Sequence, residues 1–166
     1  VESGARVLEL AHGTGSLQID LRAAGLAPTG LDLSPMMGRI ARRKLLRRRI
    51  TPRLVRGMAQ RLPFPAGSFP AVVSTFPTDF IIDPETAREV WRVLQPGGRL
   101  VVVANGVLTG GGPLRAVLEW AYRVTGQRGP WPADPLRVYT AAGFVIRREE
   151  VSCRRSRALV FVAEKG

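Results

Sequence analysis

Two short segments near the N-terminus carry the residue types that could bind a nucleoside-like ligand. The first segment is Glu9-Leu10-Ala11-His12-Gly13-Thr14-Gly15. It lies at the end of a short apolar run, and this pattern predicts the turn between a buried strand and a helix. Its two glycines, one residue apart, let the backbone bend sharply and approach a ligand without an intervening Cβ. Asp32 closes the second predicted strand, where a carboxylate can accept both hydroxyls of a ribose. The two turns therefore offer a carboxylate and a glycine loop to one ligand.

Alternating strands and helices must position these turns. Apolar runs predict strands at 6–11, 29–33, 53–57, 71–74, 100–104, 144–150 and 158–163, and periodicity predicts helices at 16–24, 35–49, 84–94, 114–124 and 135–142. Ser16 and Ser34 are expected to cap the first two helices. The last two strands are joined too closely for a crossover helix and should be antiparallel. We expect one doubly wound α/β domain over 1–166, its seven-stranded sheet mostly parallel.

Composition limits the possible settings and partners. The 166 residues are 45% hydrophobic and 23% charged, and no apolar run reaches the roughly 18–20 residues of a membrane span. The N-terminus lacks a signal-peptide pattern, and the lone Cys153 excludes an internal disulfide or multi-cysteine metal site, so we predict a cytoplasmic protein without a metal. The net charge of +12 would attract nucleic acid, acidic metabolites or anionic surfaces. A biased amino-acid usage rich in Arg, Ala, Gly and Pro explains the charge equally well.

The glycine loop alone does not distinguish a nicotinamide site from other nucleoside sites. Gln18 stands where the dinucleotide fingerprint has its third small residue. Glu9, near the end of the first strand, suits a cationic ligand and would repel a pyrophosphate. A dehydrogenase would also need a second half that this chain lacks.

Four segments, in order and at family spacing, carry a resemblance to a known family. They are 7–15, which resembles the first motif of class I S-adenosylmethionine-dependent methyltransferases, and 30–37, 62–69 and 89–100, which resemble the ubiquinone/menaquinone-methyltransferase-like subgroup. The resemblance implies a Rossmann-like methyltransferase fold, S-adenosylmethionine as cofactor and a small-molecule methyl acceptor. It covers about Val1 to Val103, and the rest of the chain fits the last two strands of that fold.

The same resemblance implies roles for individual residues. Those expected to contact the cofactor are Glu9, Ala11, His12, Gly13, Thr14, Gly15, Asp32, Leu33, Met37, Met58, Ala59, Thr75 and Phe76. Glu9 and the glycines would line its methionine end, Asp32 would hold the ribose, and Leu33 and Met37 would lie against the adenine. The sequence departs from the family at Ala11 and His12 (usually glycine and cysteine), Met58 (usually an acid) and Pro70 (usually aspartate). The N-terminal helix that often covers the cofactor in this family is also absent from 1–166.

Several residues have simpler interpretations. His12 is expected to shape or pack its loop, and Asp83, before Pro84, to cap a helix, while Asp79 could reach an acceptor. The basic helix 39–49 is a solvated face or a contact for nucleic acid or acidic lipid, although it lacks the aromatic residues that single strands stack on. The aromatic residues of 114–131, namely Trp120, Tyr122 and Trp131, would line an acceptor pocket or pack in the core.

Three functions remain open at this point. The first is methylation of a small molecule, and the second is methylation of RNA, suggested by the charge of +12. The third is a degenerate domain that binds cofactor or a partner without catalysis, suggested by the departures from the family pattern. The catalytic residue is not assigned, because methyl transfer requires a general base only when the acceptor is protonated.

Overall fold

A computed structural model describes residues 2–108, 136–153 and 156–166. The strands are β1 Arg6–Leu10, β2 Ala27–Asp32, β3 Leu54–Arg56, β4 Phe69–Thr75, β5 Leu94–Leu108, β6 Phe144–Cys153 and β7 Ser156–Lys165. The helices are α1 Ser16–Ala23, α2 Pro35–Arg47, α3 Pro84–Val93 and α4 Arg137–Ala141, and a 3-10 helix covers Asp79–Ile82. The predicted helix at 114–124, with Trp120, Tyr122 and Trp131, lies outside the described residues.

The seven strands form one sheet in the order β3-β2-β1-β4-β5-β7-β6. The pairings β1–β2, β1–β4, β2–β3 and β4–β5 are parallel, whereas β7 is antiparallel to both of its neighbours. The prediction of a mostly parallel, doubly wound sheet with an antiparallel last strand is confirmed. The strand order reverses between β1 and β4, and ligands bind beyond the carboxyl ends of the strands at such a point.

The middle of the sheet is the core of the domain. The innermost strands place Leu8, Val72 and Leu100 in positions that exclude solvent, and α3 adds Val90 and Val93. A continuous apolar run is what a strand covered on both faces requires. The carboxyl ends of β1 and β4 therefore extend from a closely packed core.

The first helix begins differently from the prediction. Ser16 is its first helical residue rather than its cap, because Gly15 occupies the N-cap position with φ 75° and no side chain caps the helix. The Ser16 hydroxyl instead accepts a hydrogen bond of 2.6 Å from Lys44 Nζ of α2. The second helix agrees with the prediction, since the Ser34 hydroxyl accepts from the Met37 amide at 3.3 Å and Pro35 stands at the first helical position.

The fourth and fifth strands are longer than predicted. β4 begins at Phe69, which pairs with Leu94, and the next pair is Ala71 with Arg99, so the register shifts around Pro70. The extra residues of the shifted register lie in β5, where Pro96 has no amide to donate to the ladder and Gly97 has φ 69°. The residues 95–98, which separate the predicted helix 84–94 from the predicted strand 100–104, are the irregular first part of β5.

Candidate functional site

The loop between β1 and α1 is built from left-handed residues. Ala11, Gly13 and Gly15 have φ values of 57°, 50° and 75°. The Gly15 amide donates to the His12 carbonyl at 2.8 Å and closes the turn. A Cβ on Gly15 would lie 2.9 Å from the Cβ of Ala41, so glycine there allows α2 to pack against the loop. Ala11 adopts the same kind of conformation without that freedom, which costs about 1 kcal/mol or more.

Asp32 fastens this loop to the second strand. Its Oδ2 accepts a hydrogen bond of 2.8 Å from the Gly13 amide, and its Oδ1 accepts one of 2.8 Å from the Ser34 amide. Both oxygens thus hold backbone amides, which the sequence prediction of a ribose contact did not include. A carboxylate oxygen has two lone pairs, so each retains one acceptor position for a ligand hydroxyl.

Glu9 is a buried carboxyl group on β1, the strand next to the one that carries Asp32. It lies near the end of β1, and Gln18 of α1 donates from Nε2 to its Oε2 at 2.5 Å. Burial raises the pKa of Glu9 from 4.5 to about 7, against the opposing effect of the Gln18 hydrogen bond and with a smaller contribution from the charge of Asp32. Among the described residues, nothing donates to Oε1. A buried carboxyl group with one unused oxygen is suited to a ligand cation, which would restore its ionised form.

Gln18 is a residue of the site that the sequence did not reveal. The sequence pattern marks it only as a mismatch to the dinucleotide fingerprint, yet its side chain is buried and donates to Glu9. The available signal was a polar residue two positions into α1, on the side of the helix that covers the first strand. Amide side chains are seldom fully buried without a partner, and the partner here is a carboxyl group.

His12 has the packing role expected for it. It is buried, and its Nδ1 lies 2.9 Å from the Gly13 carbonyl oxygen. A Cβ on Gly30 would lie 2.9 Å from His12 Cδ2, so the imidazole fills the space above that glycine of β2.

Large apolar side chains are exposed after the ends of three strands, of which β3 and β2 lie on one side of β1 and β4 lies on the other. Leu33, Met58 and Phe76 follow β2, β3 and β4 and are 57%, 50% and 63% exposed. Phe76 has φ 50°, and its amide donates to the Val103 carbonyl at 2.8 Å, which fixes its backbone. We name these three residues the apolar rim. Exposed apolar side chains grouped beside buried polar ones are typical of a ligand site.

The remaining predicted contacts lie at the same edge of the sheet. Met37 and Thr75 are half-buried, Ala59 is buried, and Thr14 is exposed on the glycine loop. The structure therefore brings together the carboxyl ends of β1, β2, β3 and β4, where all thirteen predicted residues lie. Their contact with a cofactor stays a prediction.

The two aspartates after β4 have separate roles. Asp83 caps α3, because its Oδ1 accepts from the Glu85 amide at 2.8 Å, and its Oδ2 accepts from Gln60 Nε2 at 3.1 Å. This confirms the expected cap. Asp79 is exposed in the 3-10 helix.

The loop at 62–69 is held to α3 by an arginine and a glutamate. Arg92 of α3 donates to the carbonyls of Leu62 and Phe64 at 2.9 and 2.7 Å and forms a two-pronged ion pair with Glu89. Glu89 Oε2 also accepts from the Leu62 amide at 2.6 Å. Segments 62–69 and 89–100, two of the segments behind the family resemblance, are thus in direct contact.

Comparison with known proteins identifies the family. A family model described as a methyltransferase domain matches residues 7–98. The chain belongs to that family. This confirms the resemblance carried by segments 7–15, 30–37, 62–69 and 89–100, all but the last two residues of which lie within the match.

Curated relatives of this methyltransferase domain match about three fifths of its length. The demethylmenaquinone methyltransferase of Thermus thermophilus is 46% identical over 101 residues, which are 59% of this chain and 46% of the relative. The ubiquinone/menaquinone biosynthesis C-methyltransferase UbiE of Pseudomonas putida is 36% identical over 110 residues, 62% of this chain and 43% of the relative. The chain spans less than half the length of these relatives.

Solved structures share the fold of the methyltransferase domain. Phosphoethanolamine N-methyltransferase 2 of Haemonchus contortus, solved with phosphomonomethylethanolamine and S-adenosylhomocysteine, superposes with a TM-score of 0.74 at 17% identity, over 99% of this chain and 49% of that one. The YcgJ protein of Bacillus subtilis gives 0.72 at 15% identity, over 99% and 94%. These likenesses confirm the Rossmann-like methyltransferase fold.

Two further findings concern metals and membranes. In residues 2–108, 136–153 and 156–166, no group of three or more His, Cys, Asp or Glu side chains is placed to hold a metal ion. None of the helices in that same part of the chain is both long and apolar enough to cross a bilayer.

Proposed function

We propose that this domain binds S-adenosylmethionine and transfers its methyl group to a small molecule of the quinone-precursor kind. The observation that carries the proposal is the 2.8 Å hydrogen bond from the Gly13 amide to Asp32, which joins the glycine loop and the ribose-binding carboxylate into one site. Membership of the methyltransferase domain family and the names of the curated relatives support the same function.

The donor set fits such a cofactor. A Cβ on Gly13 would meet nothing within 4 Å, so the loop is open on the side where a ligand would approach. Glu9 offers its free Oε1 to a ligand ammonium group, and Asp32 offers its remaining lone pairs to ribose hydroxyls. The apolar rim supplies flat, non-polar surface for an adenine ring and for an apolar acceptor. The glycine loop and Met37, Ala59 and Thr75 complete the proposed contacts.

Methyl transfer requires the protein mainly to position the cofactor and the acceptor. The cofactor supplies, when bound, a methyl group on a positively charged sulfur that leaves readily. The residues of the site fix the ligands in line and exclude water from between them. Phe76 stands at the end of β4 with a fixed backbone, and we propose that it orients the acceptor.

The proposed class of methyl acceptor is supported by the names of the relatives and by the apolar rim. Both relatives described above are named for quinone biosynthesis, and the apolar rim suits a ring more than a polyanion. The comparisons give no support to the RNA alternative. We also propose that the seven strands belong to a single domain, on the ground that they share one sheet, and that the protein is cytoplasmic, on the ground of its single cysteine.

Calorimetric titration of the protein with S-adenosylhomocysteine tests cofactor binding. We expect a dissociation constant near or below about 10 μM, roughly −7 kcal/mol. NAD serves as the control ligand and should give no heat. No binding of S-adenosylhomocysteine, with the protein folded by circular dichroism, would contradict the proposal.

Transfer is tested separately with radiolabelled S-adenosylmethionine. The acceptors are a water-soluble demethylated naphthoquinol and total RNA, assayed in parallel. Label in the quinol supports the proposed acceptor class, and label only in RNA refutes it. Cofactor binding with no label in either would leave the degenerate domain as the better description.

A further inference from the structure

The outer face of α2 combines basic and apolar side chains in a way that the cofactor site does not explain. Met36, Ile40 and Leu46 are 54%, 40% and 47% exposed, although buried apolar residues of α2 such as Ala41 and Leu45 face the sheet. Arg39, Arg43 and Arg47 are also exposed. At 3.6 residues per turn these six side chains fall within an arc of about 120°, opposite the buried side. We name them the α2 face.

The charge of the helix has one sign. Residues 35–49 include seven basic residues and no acidic residue. None of the ion pairs found among the described residues involves α2. Exposed arginines in such a row repel one another. An anionic partner would remove this electrostatic repulsion and so stabilise the helix.

A recess adjoins this face. Arg39 and Arg42 line, together with Arg56 of β3, a cavity of about 310 Å³ between α2 and the edge strand of the sheet. His12, Asp32 and Ser34 line the same cavity, so it is shared with the candidate cofactor site. Of the residues of the α2 face, only Arg39 reaches it.

We propose that the α2 face docks the protein on an anionic lipid surface. Arginines would meet the headgroup phosphates while Met36, Ile40 and Leu46 enter the boundary of the acyl chains, the arrangement of a helix that lies in the plane of a membrane. Charge complementarity favours lipid over a covering segment of the chain. Residues 109–135 have three arginines against Glu119 and Asp134, a net charge of +1, and so cannot neutralise the helix.

Exposed apolar side chains also distinguish lipid from nucleic acid. A polyanionic strand would be attracted by the arginines alone, and single strands bind through aromatic stacking, for which residues 35–49 have no aromatic residue. A lipid surface uses the arginines and the apolar residues together. The proposal is independent of the methyl acceptor.

Co-sedimentation with vesicles tests the proposal. Vesicles of phosphatidylcholine with an equal share of phosphatidylglycerol should bind the full chain, and pure phosphatidylcholine vesicles should not. The variant Arg39→Gln/Arg43→Gln/Arg47→Gln should bind the anionic vesicles roughly a hundredfold more weakly, because each basic side chain near such a surface contributes close to a factor of five. The variant Met36→Gln/Ile40→Gln/Leu46→Gln, which keeps every charge, should also lose at least about tenfold.

A matched control separates this surface from net charge. Arg88→Gln/Arg99→Gln/Arg157→Gln removes the same charge from exposed positions on α3, β5 and β7, away from α2, and should change vesicle binding less than about threefold. Circular dichroism should show that all three variants are folded, and the apolar variant and the control should bind S-adenosylhomocysteine as tightly as the parent protein. Equal losses in the arginine variant and the control would overturn the proposal. Tight RNA binding that the arginine variant loses and the apolar variant keeps would assign the face to nucleic acid instead.

Discussion

Asp32 and Gly13 are joined across two strands by a hydrogen bond of 2.8 Å, with the backbone amide of the glycine loop as donor and the carboxylate as acceptor. The second oxygen of Asp32 holds the Ser34 amide at the start of α2. One side chain thus sets the position of the loop and of the helix on either side of the proposed ribose site. Its loss would disturb loop geometry and ligand contact together.

We therefore expect Asp32→Asn to weaken the site in two measurable ways. An amide has one oxygen and no charge, so one of the two backbone amides loses its acceptor and the other keeps only an uncharged one. Thermal or urea unfolding should show a loss of about 1–2 kcal/mol, and affinity for S-adenosylhomocysteine should fall at least about tenfold. Asp20→Asn, an exposed aspartate on α1, is the control and should leave both values unchanged. Unaltered affinity in Asp32→Asn would remove Asp32 from the site.

Glu9 should make ligand binding depend on pH. Its pKa of about 7 means that Glu9, the proposed partner of the ligand cation, is partly protonated at neutral pH. The apparent affinity for S-adenosylhomocysteine should weaken about tenfold from pH 8 to pH 6. Calorimetry on Glu9→Gln, which cannot titrate, should give weaker binding with a flat profile over this range. The same slope in both proteins would contradict the assignment.

The stability of the free protein should respond to the same group. Because the folded pKa of Glu9 is raised above 4.5, its contribution to stability is fully present below pH 4.5 and is lost as the pH rises through about 7. Glu9→Gln should therefore gain stability relative to the parent protein between pH 5 and pH 8, by up to about 3 kcal/mol. Denaturant unfolding at both pH values measures the difference.

Replacement of Ala11 by glycine is expected to increase the stability of the protein. Its φ of 57° is a conformation that glycine adopts without the Cβ cost, so Ala11→Gly should raise the free energy of unfolding by about 1 kcal/mol. Ala24, which has φ −77°, provides the opposite case, and Ala24→Gly should lower it. If both changes destabilise the protein equally, the loop does not strain Ala11.

Gly15 tests the contact between the loop and α2. A Cβ there would lie 2.9 Å from Ala41 Cβ, and φ is 75°, so Gly15→Ala should cost roughly 2–3 kcal/mol. Ala41→Gly removes the clashing carbon, and the double variant should be more stable than the sum of the single changes predicts. Strict additivity in urea unfolding would mean that backbone strain alone causes the loss.

Glu89, which binds the loop at 62–69, should make the free energy of unfolding depend on pH in the acid range. The Arg92 hydrogen bond lowers the pKa of Glu89 below 4.5 in spite of partial burial. Its stabilising contribution is present above pH 4.5 and is lost as the pH falls below that value. Glu89→Gln should cost about 2 kcal/mol at pH 7 and much less at low pH. Glu85→Gln, an exposed partner of Arg88, is the control and should show almost no loss.

Local patterns in the chain predicted the sheet, its single antiparallel strand and the edge where the candidate residues meet. Apolar runs and the Ser34-Pro35 pair act locally, so each is visible in a few residues. The cap of α1, the start of β5 and the partner of Glu9 depend on contacts between distant segments. Gln18 reaches Glu9 only after α1 has packed on the sheet, and the register shift between Phe69 and Ala71 arises only where β5 lies beside β4.

The place of β7 has a consequence for the order of events during synthesis. Residues 156–165 lie between β5 and β6, although they are translated after both. Until they leave the ribosome, β5 presents an open edge and β6 has no strand to pair with. Before β7 is synthesised, no other strand can be allowed to pair with the open edge of β5. Removal of β7 would leave the backbone groups of β5 and β6 unpaired and able to pair with strands of other chains.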